Sequence, residues 1–173
     1  MGMDFRIPRS SDDSDEGLLS DVSQPLWPLW ANFGESDRAD AIEGFFAQLS
    51  EGQRNILAVA ICRSEISNGG VDQFFLQSTG NIWRQALSGL RAIEADRYTK
   101  LLEKVLALFP GANAPIEAAK RNEILESLPE SRVERLFESV NEKWDELDSS
   151  EKHSLAAHCA RYIRANLTFF FVE

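Results

Sequence analysis

The longest apolar run inside the chain, Ile56 to Ile61, is flanked by Gln53, Arg54 and Arg63 at helical spacing, and this predicts a buried helix rather than a strand. Ser50 and Gln53 stand three apart before it, the pattern in which a hydroxyl and an amide satisfy each other's free backbone N–H groups at a helix start. Asn68, Gly69 and Gly70 predict its end. Upstream, Leu18 to Phe33 is apolar but broken by Pro25 and Pro28, which predicts short helical pieces. Ser36 is placed to cap a helix reaching about Leu49. Downstream, helices are predicted over Asp72–Gln77, Asn81–Ala95 and Asp96–Phe109, the last stopped by Pro110 and Gly111. Pro115 suits the first turn of a helix ending near Leu128. Pro129 and Glu130 open another, ending near Leu147, and Ser149 or Ser150 caps a last one running to about Asn166. The end, Leu167 to Val172, is strongly apolar. Alternation of period two is absent, so the fold class is all-α, a single compact multi-helix domain over residues 18–173. Residues 1–17, with Asp12, Asp13, Asp15 and Glu16 among serines, read as an acidic flexible tail.

The predicted helix after Pro129 carries the most ordered charge pattern in the chain. Glu126, Glu130, Glu134, Glu138, Glu142 and Glu146 recur every four residues, and Asp145 and Asp148 extend the run. Val133, Leu136, Phe137, Val140, Trp144 and Leu147 fall within about 100° of arc on the same helix. The glutamates start at the edge of that stripe and drift about 40° per step across the opposite side. Carboxylates therefore face solvent on a rigid rod, about 6 Å apart along its axis. Like charges four residues apart oppose helix formation by a few tenths of a kcal/mol per pair. The ordinary reading is a solvated helix face. The sharper one is a surface that offers phosphate-like charge to a basic protein groove. Duplex DNA carries one charge per about 1.7 Å, so one helix is a sparse imitation, and mimicry leans towards a homodimer or help from the acidic N-terminal block.

Charge balance narrows the partners. The 173 residues hold 28 acids and 18 bases, a net charge of -10. Ten of the acids lie in residues 1–50 and ten in residues 123–151, while residues 51–122 are slightly basic. That excess excludes direct grip on nucleic acid or on anionic membranes. No apolar stretch reaches the ~20 residues needed to cross a bilayer, and no secretory leader is visible, so a cytoplasmic protein is expected. Cys62 and Cys159 do not make a disulfide framework. His153 and His158, five apart, are off the spacing for one shared metal, and no cofactor, metal or catalytic constellation is predicted. Arg84, Arg91, Arg97, Lys100 and Lys104 lie among acids and are expected to pair within the fold or solvate it.

The most unusual string runs from Glu65 through Ser67-Asn68-Gly69-Gly70-Val71-Asp72-Gln73-Phe74-Phe75, followed by Ser78-Thr79-Gly80 and Ala86-Leu87. By itself it is a helix–helix corner, with a polar pocket of Asn68, Asp72 and Gln73 as the functional alternative. The string resembles a bacterial family of small acidic DNA-mimic proteins of the nineteen-kilodalton type, most clearly over residues 62–90. The resemblance implies an all-α dimer with a DNA-like negative surface. It further implies binding to a helix-turn-helix repressor, which is thereby kept off its operator. The residues expected to meet that partner come from the charge pattern: Glu126, Glu130, Glu134, Glu138, Glu142, Asp145, Glu146 and Asp148. An immunity or antitoxin-like module masking a basic nuclease is the competing binding function. An enzyme would need a pocket that the sequence does not single out.

Overall fold

The computed structural model describes residues 5–8, 12–34 and 36–172, and over these the chain is a helical assembly with nine α-helices. They are α1 (Asp15–Ser23), α2 (Trp27–Phe33), α3 (Ala39–Phe46), α4 (Glu51–Leu76), α5 (Trp83–Ala92), α6 (Asp96–Leu106), α7 (Ala118–Glu126), α8 (Glu130–Asp148) and α9 (Leu155–Ala165). Four short 3-10 turns link or end them, and the one β-type contact among the described residues is a parallel bridge between Ile7 and Phe171.

Helix α4 is the axis of the fold. The reciprocal Ser50–Gln53 cap forms as the sequence predicts, with Ser50 Oγ accepting from Gln53 N and Gln53 Oε1 accepting from Ser50 N. Every residue from Ile56 to Cys62 is buried, because α1, α5, α7, α8 and α9 all pack around this helix. A helix apolar on all sides is stable in water only when so surrounded. At Gly69 and Gly70 the backbone leaves helical geometry, with Gly70 at φ +82°, and helix resumes through Leu76. The segments predicted on either side of Asn68–Gly70 are thus two arms of one bent element. The bend aims Phe74 and Phe75, both fully buried, into the core, where Phe75 stacks on Phe109.

Arg121, from α7, anchors the far arm. Its side chain is fully buried and donates to the carbonyl oxygens of Phe75, Gln77, Pro115 and Ile116 and to Asn81 Oδ1. Burial lowers its pKa to about 10, so it remains charged at neutral pH. Gly80 makes room for this: a Cβ there would lie 2.2 Å from the Phe74 carbonyl oxygen and 2.9 Å from the guanidinium.

Several predicted boundaries move. Ser36 does not cap α3; its hydroxyl accepts from Arg38 N in the preceding loop, and the helix starts at Ala39 without a side-chain cap. Pro115 precedes α7 rather than lying in its first turn, and its carbonyl accepts from Arg121. The last helix is capped by Ser154, whose hydroxyl accepts from Ala157 N; Ser149 and Ser150 lie in the preceding turn. The stretch read as an acidic tail is tied down where it is described. Ile7 bridges to Phe171 by donating to the Phe170 carbonyl and accepting from Val172 N, and Ser14 caps α1, which begins at Asp15. The apolar end docks as well: Phe170 and Phe171 are buried.

Candidate functional site

Helix α8 buries Phe137, Val140, Trp144 and Leu147 and half-buries Val133 and Leu136, the stripe read from the sequence. Trp144 meets Tyr98 of α6 edge-on at 4.8 Å between ring centroids, which fixes the rotation of α8 about its axis. That rotation turns Glu130, Glu134, Glu138, Glu142, Asp145 and Glu146 to solvent. Glu126, at the end of α7, is exposed as well. Among the described residues none of these seven carboxylates takes part in an ion pair. The arginine most central to the ladder, Arg135, turns back to the Ser131 carbonyl at 2.8 Å and makes no ion pair among the described residues.

Asp148 stands apart from the others. It is largely covered, pairs with Arg63 of α4 at 2.9 Å and accepts from Leu155 N at 2.9 Å, where it caps the first turn of α9. It shares its wheel angle with Glu130, at the edge of the apolar stripe, and what separates the two is Arg63, which packing brings to Asp148 alone. Arg63 also grips Glu16 of α1 at 2.7 Å, and this holds the Glu16 carboxyl below the usual carboxylate range. The two acidic blocks, far apart in sequence, therefore meet at the C-terminal end of α8. Asp15 is engaged too, by Arg164 at 2.8 Å, so these N-terminal acids are partly neutralised rather than added to the ladder.

The Asn68 corner gathers no catalytic set. Asp72 Oδ1 accepts from Asn141 of α8 at 3.3 Å, Gln73 donates to Glu65 at 3.1 Å, and Asn68 lies exposed over a different groove, between α1 and α4. His158 faces the Ile93 carbonyl at 3.3 Å, and burial lowers its pKa. Cys62 and Cys159 are buried with their thiol pKa values raised, Cys159 to about 12. Among the described residues no group of three or more His, Cys, Asp or Glu side chains is arranged to hold a metal, and no helix is long and apolar enough to cross a membrane.

A family model described as DMP19-like protein matches residues 47–166, from the end of α3 through α9. The chain belongs to the DMP19-like protein family. That family is one of DNA mimics. In this DMP19-like chain the matched region holds the bent α4, the Arg121 anchor and the whole of α8, while α1 and α2 lie outside it. Comparison with curated proteins and with solved structures gave no match.

Proposed function

We propose that this DMP19-like protein is a DNA mimic that occupies the nucleic-acid groove of a DNA-binding protein, a helix-turn-helix repressor, and so keeps it from its operator. The observation that carries this reading is a row of seven exposed carboxylates free of ion pairs among the described residues: Glu126 at the end of α7, and six from Glu130 to Glu146 on α8, whose rotation is locked by Trp144. A groove that reads phosphates by charge accepts carboxylates held at fixed spacing. Asp148 acts behind the face, as the anchor joining α8 to α4 and α9. A second copy, bringing its own ladder, raises the charge density towards that of a duplex.

The test is capture of a partner from cell extract with the full chain, followed by competition with duplex DNA. Release of a repressor by DNA supports mimicry of its operator. Recovery of a nuclease instead assigns the same face to an immunity role. Charge reversal at Glu134, Glu138 and Glu142 is expected to abolish capture while circular dichroism stays unchanged. Retained capture removes the proposal.

A further inference from the structure

A ladder that repeats every four residues has a weakness as a recognition surface. Moving the partner by one step, about 6 Å along α8 with a turn of about 40° round it, replaces each carboxylate by its neighbour and loses only the end contact. Charge alone thus fixes neither register nor direction along α8.

Beside the row lies an element of opposite charge. Arg97, Lys100 and Lys104 lie on α6 at spacing i, i+3, i+7 and, with Lys143 of α8, line a depression of about 330 Å³ at the α6–α8 seam. Its floor is Leu101 and Leu147, and Glu146 at the rim is its one acid. All four cations are exposed, and among the described residues none makes an ion pair. Of the bases expected to pair within the fold or solvate it, Arg91 pairs with Glu103 and Arg84 lies over Trp83, whereas Arg97, Lys100 and Lys104 stay in solvent, as does Lys143. On a chain of net charge -10, four unpaired cations gather beside one end of the acidic row.

We infer that the α6–α8 cleft is an orientation key: it takes an acidic segment of the partner protein that flanks the partner's basic groove. This rests on the mimic reading above. A correctly placed partner sets carboxylates against Arg97, Lys100, Lys104 and Lys143 while its basic groove lies on the ladder; a reversed or shifted one brings like charges together. A protein segment fits better than a phosphate ligand because the surrounding negative field repels a dense polyanion more than a few carboxylates.

The test uses the full chain at low salt, about 20 mM, where exposed charges are least screened. Amide shifts are followed by NMR during titration with a hexaglutamate peptide, with inorganic tripolyphosphate and with a hexalysine peptide. Hexaglutamate is expected to move amides of residues 97–104 and 143–147, and to lose at least tenfold in affinity for the K100Q/K104Q/K143Q variant. Hexalysine is expected to move the outer face of α8 and to bind that variant at least as well. Unmoved α6 amides, or hexaglutamate affinity unchanged in the variant, overturn the key. Tighter binding of tripolyphosphate than of hexaglutamate overturns it in favour of a phosphate site. Hexalysine that fails to reach α8 while hexaglutamate still seats at α6 overturns the mimic reading instead, so the two failures are told apart.

Discussion

The side-chain oxygen of Asn141 accepts the Val71 amide at 2.7 Å, directly after the glycine pair that bends α4. Its amide nitrogen donates to Asp72 at 3.3 Å. The corner that carries the sequence resemblance and the helix that carries the acidic row are therefore one mechanical unit. Val71 N would otherwise be an orphan donor at the restart of a helix, and Asn141 supplies the acceptor from α8.

Replacing Asn141 by Ala leaves that amide without a partner at a half-buried site. The expected loss is about 1–3 kcal/mol, measured by urea unfolding. An unchanged midpoint and slope would show that water replaces Asn141 at no cost.

Arg121 makes a stronger prediction. Its guanidinium serves five acceptors from α4, the turn that follows it and the loop that leads into α7. Arg121→Met keeps much of the volume but strips those acceptors, with an expected cost of about 3 kcal/mol or more. Arg121→Lys is expected to rescue little, since one ammonium has three donors and no fork. Equal stability of Lys and Arg at this position contradicts the account.

The acidic row predicts an opposite sign. Glu134→Gln, Glu138→Gln and Glu142→Gln together relieve like-charge neighbours on α8 without removing any ion pair. Stability is expected to rise by about 1 kcal/mol or less at low salt, and the gain to fade as salt is added. Loss of stability would mean that these carboxylates are bonded within the fold. Partner capture is expected to fall at the same time, which separates a functional surface from a structural one.

His158 sets a pH dependence. Burial, helped by the positive charge of Arg161, holds its pKa below the ordinary value of 6.5. The unfolded chain therefore binds the proton more readily than the folded one. The contribution of His158 to stability is complete above pH 6.5 and declines as pH falls from there through the folded value. Thermal unfolding followed between pH 7.5 and 5 is expected to show this decline. His158→Gln should flatten it, and an identical slope in the variant would assign the effect to other groups.

Periodicity and punctuation alone determined the helical class, the central buried helix, the glycine bend and the stripe that rotates α8. These follow from local spacing, which a one-dimensional pattern records. The exposed side of α8 was legible for the same reason: once the apolar stripe is placed, the glutamates opposite it have no choice of face. What the chain could not show locally was which charges find partners across the fold. Asp148 and Glu130 share a wheel angle, yet one is taken by Arg63, 85 residues away, and the other stays free. Arg97 and Lys100 look no different in sequence from Arg91, yet only Arg91 meets an acid. Caps moved likewise: Ser154 rather than Ser149 or Ser150 holds the first turn of α9, and Ser36 accepts from Arg38 N instead of capping α3. Pairing depends on distances closed by packing, and those distances exist only once α4 has gathered the other helices around it.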